Sequence, residues 1–127
     1  MSEKIKLLFS LLINSKLHTF PKHGTLKNLV TSRHGIYVIY GKNKKPLYVG
    51  RTIYNIGGLQ NRLYSHLTNG STFSNNYLNN KVINLRKNAK FQLIVVNSLR
   101  VRAYLEAYAI GVLCPTYIGY GKRIKNK

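Results

Sequence analysis

Acidic side chains are almost absent from this sequence. Two carboxylates, Glu3 and Glu106, stand among 127 residues that include 21 lysines and arginines, which gives a formal net charge of +19. A chain so unbalanced repels itself unless a polyanion neutralises it. An AT-rich genome could explain many lysines, but aspartate and glutamate codons are compatible with such a genome, so the scarcity of acids needs another cause. It favours a surface that lies against phosphates and predicts a nucleic-acid partner.

Cysteine is nearly absent too, and long apolar runs are missing. Because Cys114 is the only cysteine, the chain cannot form an internal disulfide, which favours a cytoplasmic protein. The most apolar stretch, residues 7–13, lacks the cleavage site of a signal peptide and is too short to span a bilayer. No membrane partner is therefore expected.

Length and periodicity predict one domain with an addition at each end. A chain of this size matches a single domain, and it contains no internal repeat. Residues 1–33 are predicted to form an N-terminal helix, with apolar side chains at helical spacing from Ile5 to Ile13, and then a basic loop. This segment either packs on the domain or pairs with a second copy. Residues 34–121 form the predicted domain, and residues 122–127 form a basic tail.

Two runs of β-branched and aromatic residues predict a β-hairpin. They are residues 35–40 and 47–50, and the turn between them contains glycine, asparagine, lysine and proline. Side chains alternate between the faces of a strand, so Tyr37 shares one face with Ile39, and Tyr48 shares a face of the partner strand with Gly50. The two tyrosines are therefore expected to meet across the hairpin.

Four further elements are predicted after the hairpin. They are a helix over residues 59–69, a helix over residues 74–85, a strand over residues 91–96 and a helix over residues 99–113 that Pro115 closes. Arg62 and His66, four residues apart, lie on one side of the first of these helices. The order predicts an α+β fold in which a small, three-stranded, mostly antiparallel sheet is surrounded by helices, with the N-terminal helix added.

Glu106 is the one carboxylate inside the predicted domain. One helical turn away from it lie Arg102, Ala103, Ala109 and Ile110, so it is expected to face inward beside small and apolar side chains. A partly buried carboxylate needs a partner. A basic side chain in an ion pair and a metal ion both satisfy it, and the helix alone does not decide between them.

The ordered combination of these residues resembles the GIY-YIG nuclease family. The tripeptide GIY ends at Tyr37, the tripeptide YVG begins at Tyr48, and Arg62, His66 and Glu106 follow in that order. The similarity spans residues 35 to about 118. It implies a small antiparallel sheet surrounded by helices, which agrees with the elements predicted from periodicity.

The resemblance also implies an activity, namely hydrolysis of phosphodiester bonds with one divalent metal ion per active site, Mg²⁺ or Mn²⁺, and no organic cofactor. It implies that Glu106 is the metal ligand and that Arg62 holds the scissile phosphate. Tyr37 would be the base or proton relay for the attacking water, and Tyr48 a second hydroxyl beside the phosphate. His66 would assist proton movement or position Tyr37. A tyrosine base needs cationic neighbours to lower its pKa from about 10, and this sequence offers many.

Other basic residues are predicted to contact nucleic acid, or else they are ordinary solvated charges. Arg51 follows the YVG tripeptide at a position where some relatives place a lysine near the metal-bound water, so it is a candidate at the site itself. The remaining candidates are Lys42, Lys44 and Lys45 in the turn and Lys122 and Arg123 in the tail.

The resulting hypothesis is a small stand-alone DNA endonuclease, restriction-type or structure-specific. With one active site per chain, cutting both strands of a duplex requires a homodimer or two successive nicks. The alternative is a non-catalytic nucleic-acid-binding protein that retains the fold, in which Glu106 pairs with Arg62 or Arg102. One departure favours the alternative, because the family usually places an asparagine shortly after the closing proline and this chain has Thr116, Tyr117 and Ile118 there.

Overall fold

An antiparallel sheet of four strands forms the centre of the fold. The computed structural model describes residues 2–119, so the predicted contacts Lys122 and Arg123 lie outside the described residues. The strands are β1 (His18–Thr19), β2 (Gly35–Tyr40), β3 (Pro46–Arg51) and β4 (Lys90–Val95). Their spatial order is β1-β4-β2-β3, and every neighbouring pair is antiparallel. The predicted α+β class is confirmed, with one strand more than expected.

The additional strand is β1, which extends the sheet beyond β4. Its two residues, His18 and Thr19, pair with Phe91 and Lys90, and the His18 ring stacks on the Phe91 ring with the centroids 5.2 Å apart. Two residues are too few to show the alternation that marks a strand in sequence. The segment was therefore predicted as loop.

Five helices surround the sheet: α1 (Glu3–Ile13), α2 (Gly58–Ser65), α3 (Asn79–Lys81), α4 (Leu85–Asn88) and α5 (Leu99–Leu113). The Ser2 hydroxyl accepts a hydrogen bond from the Ile5 amide at the start of α1, and the Ser98 hydroxyl accepts one from Val101 at the start of α5. Both are N-caps that supply a partner for an otherwise unpaired amide. Within residues 2–119, no helix is both long enough and apolar enough to cross a membrane.

The two faces of the sheet carry separate hydrophobic cores. On one face, Ile36 and Val38 pack with side chains of α1 and α5, among them Phe9 and Leu105. On the other face, Tyr37 and its neighbours pack against α2 and the helical turns that precede β4. Thus α1 packs on the same sheet face as α5, and the GIY and YVG tyrosines point to the opposite face.

The helix predicted over residues 74–85 is confirmed as far as Lys81 and wrong beyond it. A π-helical turn, Ser74–Leu78, runs into α3, and Val82 then adopts a left-handed conformation with φ of 55°. The Asn84 side chain accepts a hydrogen bond from the Arg86 amide and caps the start of α4. Leu78 before the break and Leu85 after it are both buried in the core.

Two glycines of the tripeptides are required by close packing. A Cβ atom on Gly35 would collide with the backbone carbonyl of Ile94 on β4, and one on Gly50 would collide with the Tyr37 ring and hydroxyl. Gly35 therefore allows β2 and β4 to approach closely, and Gly50 provides the space that the Tyr37 phenol occupies.

Gly35→Ala is expected to destabilise the protein by at least about 1–3 kcal/mol, because its methyl group meets a buried backbone atom that cannot move aside cheaply. Gly111→Ala is the matched control, since nothing lies within 4 Å of its Cβ position and alanine favours the helix by up to about 1 kcal/mol. Urea denaturation measures both changes. Equal stability of the two variants would contradict the packing assignment.

Candidate active site

Tyr37 and Tyr48 lie together on one face of the hairpin. Their ring centroids are 6.1 Å apart, so the predicted meeting of the tyrosines is confirmed. Tyr37 is opposite Gly50 in the register of β2 and β3, and Tyr48 is opposite Ile39. Because Tyr37 is fully buried, its hydroxyl depends on protein groups for its hydrogen bonds.

His66 provides the hydrogen bond that Tyr37 needs. It caps the C-terminal end of α2, and its Nε2 lies 2.6 Å from the Tyr37 hydroxyl. Its other ring nitrogen, Nδ1, lies 2.7 Å from the hydroxyl of Ser71. Both contacts are buried, so Tyr37, His66 and Ser71 form a continuous chain of hydrogen bonds.

The hydrogen bonds around Ser71 favour one tautomer of His66. The Ser71 hydroxyl accepts from the Ser74 amide and lies 3.1 Å from the Ser74 hydroxyl, which in turn donates to the Ser71 carbonyl. If His66 carries its proton on Nδ1, Ser71 accepts it and donates its own proton to Ser74, and every contact then contains one hydrogen. This arrangement leaves Nε2 unprotonated, as the acceptor for the Tyr37 hydroxyl. Sequence reasoning missed Ser71, because no motif marks it.

Burial controls the protonation of both ring systems. It raises the pKa of Tyr37 well above its usual value and outweighs the opposing effect of the Arg62 guanidinium. Burial, with Arg62 nearby, lowers the pKa of His66 well below its usual value, so the imidazole is neutral at pH 7. The expectation that cationic neighbours would lower the pKa of a tyrosine base is therefore wrong for the free protein.

Arg62 extends from the last turn of α2 towards both tyrosine hydroxyls. Its positive charge lowers the pKa of the Tyr37 and Tyr48 phenols, although burial raises both more strongly. The side chain is partly exposed, and its Nη1 lies 3.5 Å from the Ser65 hydroxyl. Arg62 thus places a partly exposed positive charge close to both phenol oxygens.

Glu106 forms an ion pair with Arg51. The Arg51 Nε donates to the Glu106 Oε1 at 2.9 Å, and the side chains are 27% and 24% exposed. An ion pair of Glu106 with Arg62 or Arg102 was expected in the non-catalytic alternative, and that choice of partner is wrong. Burial raises the pKa of Glu106 above its usual value, and the Arg51 hydrogen bond acts in the opposite direction.

Arg102 is buried and has a structural role, which the sequence did not reveal. Its guanidinium donates to the carbonyls of Thr52 at 2.8 Å and Ile53 at 3.0 Å, after β3. It also donates to the carbonyls of Val96 at 2.8 Å and Asn97 at 3.0 Å, after β4. One turn before Glu106, this residue therefore fixes α5 to the ends of two strands.

The groups around Glu106 fit a magnesium ion with most of its water shell. Among residues 2–119, no cluster of three or more histidine, cysteine, aspartate or glutamate side chains could enclose a metal. Mg²⁺ retains several waters and is often bound through one carboxylate. Arg51 engages Oε1, and no described side chain donates a hydrogen bond to Oε2, so that oxygen can accept a cation.

The turn lysines lie away from these groups. Lys42, Lys44 and Lys45 are exposed at one end of the hairpin, and Arg51 is at the other. Lys45 and Arg51 are six positions apart along an extended strand, or about 20 Å. The structure therefore does not bring them to the site, and their contact with phosphates stays a prediction.

The segment after α5 follows the free edge of β3. The amides of Thr116 and Tyr117 donate to the carbonyls of Pro46 at 3.1 Å and Leu47 at 3.0 Å. The Tyr117 ring lies 6.0 Å from the Tyr48 ring. The segment that follows Pro115 therefore places a tyrosine ring beside Tyr48.

Solved structures of the GIY-YIG N-terminal endonuclease domain of UvrC from Thermotoga maritima are similar to this chain. The domain bound to magnesium as its catalytic cation is 24% identical with a TM-score of 0.51, and the match covers 93% of this chain and 99% of that chain. Two point mutants with a tyrosine replaced by phenylalanine, each bound to the divalent cation, are 24% and 23% identical with the same TM-score, and each match covers 93% of this chain and 98% of that chain. No family model and no curated protein match the sequence. The likeness shows that the chain has the GIY-YIG nuclease fold.

Acid is expected to destabilise the protein through His66. The unfolded chain protonates this histidine near pH 6.5, whereas burial keeps the folded-state pKa well below that value. Below pH 6.5 the unfolded state therefore binds more protons, and the free energy of unfolding falls by up to about 1.4 kcal/mol per pH unit until the folded-state pKa is reached.

Urea denaturation between pH 7.5 and pH 5 measures this dependence. His66→Gln should be less stable at pH 7.5 but should lose less stability on acidification than the unsubstituted protein. His23→Gln, at an exposed position, is the matched control and should retain the full dependence. Identical slopes for His66→Gln and the unsubstituted protein would contradict the buried neutral state of His66.

Proposed function

We propose that this protein, whose chain has the fold of a GIY-YIG nuclease domain, is a metal-dependent DNA endonuclease. The observation that carries the proposal is the buried contact of the Tyr37 hydroxyl with His66 Nε2, close to the charges of Arg62 and Glu106. A hydroxyl paired with an unprotonated imidazole can relay a proton, and the arginine can bind a phosphate. The net charge of +19 supports DNA as the polyanion.

The proton path follows from the hydrogen bonds. The attacking water gives a proton to the Tyr37 oxygen while Tyr37 passes its own proton to His66 Nε2, and the water oxygen forms its bond to phosphorus. As this bond forms, the bond from phosphorus to the 3′ oxygen breaks, and the leaving 3′ oxygen takes a proton from a solvent water. Burial raises the pKa of Tyr37, so the free protein does not hold this residue as a tyrosinate. The coupled transfer requires no tyrosinate, because Tyr37 gains one proton as it gives up the other. Because burial also disfavours a protonated His66, the proton on Nε2 then returns through Tyr37 to the hydroxide that is left in solvent.

Arg62 has two consecutive roles in this proposal. In the free protein its charge lies near the buried phenols, and a bound phosphate attracts the guanidinium away from them, so that water can reach Tyr37. At the phosphate it then stabilises the negative charge that develops in the transition state. Glu106 would hold a divalent cation, which when bound would supply further positive charge for the same purpose.

The resemblance of the site to the family leads us to expect 5′-phosphate and 3′-hydroxyl ends. Each chain provides one set of these residues, so cutting a duplex requires a homodimer or two independent nicks. Supercoiled plasmid distinguishes the two routes. A monomer produces nicked circles before linear DNA, whereas a dimer with two aligned sites produces linear DNA directly.

The non-catalytic alternative keeps one observation in its favour. The Arg51–Glu106 ion pair already satisfies one oxygen of the carboxylate, as a fold that has lost its metal would require. This alternative predicts salt-sensitive DNA binding and no cleavage with either Mg²⁺ or Mn²⁺. Arg51→Gln separates the two functions, since it frees Glu106 and should increase cation binding in a nuclease.

Glu106→Gln and Tyr37→Phe are each expected to reduce plasmid nicking by at least about 100-fold, because they remove the metal ligand and the proton relay. Glu3→Gln removes the other carboxylate with the same change in charge and should leave the rate unchanged. Nicking of supercoiled plasmid in the presence of Mg²⁺ measures the rates. Full activity of Glu106→Gln would eliminate the metal assignment.

Ser71→Ala is expected to slow nicking by at least about tenfold, because the Nδ1 proton of His66 loses its acceptor and the other tautomer becomes populated. Thr72→Ala, at the exposed neighbouring position, is the control and should be fully active. A purely structural role would lower stability without altering the pH profile of the nicking rate. An unchanged profile in Ser71→Ala would therefore refute the positioning role.

A further inference from the structure

The loop between β3 and α2 carries three exposed apolar side chains within four residues. Ile53, Tyr54 and Ile56 are 45%, 80% and 91% exposed. Single exposed apolar residues are common on protein surfaces, whereas several on one short loop favour a contact with a partner. We call these three residues the apolar tip.

Hydrogen bonds fix the backbone beneath the apolar tip. The Arg102 guanidinium donates to the carbonyl of Ile53 at 3.0 Å, and the Asn61 side chain donates to the carbonyl of Ile56 at 2.9 Å. The Asn55 side chain crosses the loop to the carbonyl of Gly58 at 2.9 Å. The apolar side chains therefore project from a loop that is already ordered. Binding a partner does not include the entropic cost of ordering this loop.

The apolar tip lies between two arginines of the candidate active site. Arg51, which pairs with Glu106, immediately precedes the loop, and α2, which carries Arg62, immediately follows it. The Cα atom of Tyr54 is at most about 11 Å from that of Arg51, because the two residues are three positions apart. This distance corresponds to about three nucleotide steps along a DNA strand.

Charge selects the partner of the apolar tip. A second copy of this chain would bring another +19 to the interface, and arginines flank the tip on both sides. DNA can bind both the arginines and the apolar tip. Its phosphates pair with arginines, and apolar side chains can insert between neighbouring bases.

We propose that Ile53, Tyr54 and Ile56 form a wedge that enters an opened base step within a few nucleotides of the cleaved phosphate. The proposal rests on DNA being the substrate of the nuclease site and specifies its form. Opening a stacked step in an intact duplex costs free energy, whereas a bulge or junction presents a step that is already open. The protein therefore prefers DNA with a local defect to a continuous duplex.

Binding to matched DNAs without metal tests the wedge. The probes are two duplexes of the same sequence, one continuous and one with a bulge of about two nucleotides, which provides one open base step. Both carry the fluorescent base 2-aminopurine opposite the bulge position. The bulged duplex should bind about tenfold more tightly, and its 2-aminopurine should brighten when the protein binds. Equal affinity for the two duplexes would overturn the proposal.

The double variant Tyr54→Ser/Ile56→Ser should bind the two duplexes equally and should no longer increase the 2-aminopurine fluorescence. Its affinity for the continuous duplex and the salt dependence of that affinity should be unchanged. Leu7→Ser/Leu11→Ser replaces two exposed leucines of α1 and is the matched control, which should behave like the unsubstituted protein. The wedge is refuted if the tip variant keeps the preference, or if the control loses it equally. It is also refuted if sedimentation reveals a dimer that the tip variant dissociates.

This experiment separates the wedge from the nuclease proposal, because neither readout needs cleavage or a metal ion. A preference for the bulge without nicking in Mg²⁺ or Mn²⁺ supports the wedge and refutes the nuclease. Nicking of both duplexes at equal rates and equal affinities supports the nuclease and refutes the wedge.

Discussion

The buried guanidinium of Arg102 is the interaction on which the geometry of the site depends. It is 3% exposed and makes four hydrogen bonds to backbone carbonyls, two after β3 and two after β4. These bonds hold α5 at the ends of the strands and place Glu106, one turn further, against Arg51. They also hold the first residues of the loop that carries the apolar tip. An arginine suits this position because its planar group offers five donors and remains charged when buried.

Burial is the second constraint, and it changes how the site can work. Tyr37 and His66 are enclosed by the sheet, α2 and the aromatic side chains around Phe73, so neither is readily ionised. Positive charge from Arg62 does not compensate for the loss of water around the phenol. In the proposed mechanism the relay therefore runs between two neutral partners, and the hydrogen bond from His66 to Ser71 sets its direction.

Sequence reasoning succeeded where a feature is written in neighbouring residues. The β2–β3 hairpin follows from alternation, and α5 was predicted with its observed limits because Ser98 and Pro115 bound a clear helical pattern. It failed where a local signal was weak or was overridden. The two residues of β1 show no pattern, and the predicted helix over residues 74–85 is interrupted at Val82, whose left-handed backbone is a conformation that a β-branched residue rarely adopts.

Composition and periodicity are properties of the chain, so the scarcity of carboxylates, the order of the site residues and the fold class can be read from the sequence. The groups that those residues contact depend on how the chain folds. Arg51 and Glu106 are 55 positions apart, and Tyr37 and His66 are 29 apart, so spacing could not select Arg51 over Arg62 or Arg102. The pKa shifts are likewise tertiary, because they arise from burial among side chains that distant parts of the chain contribute.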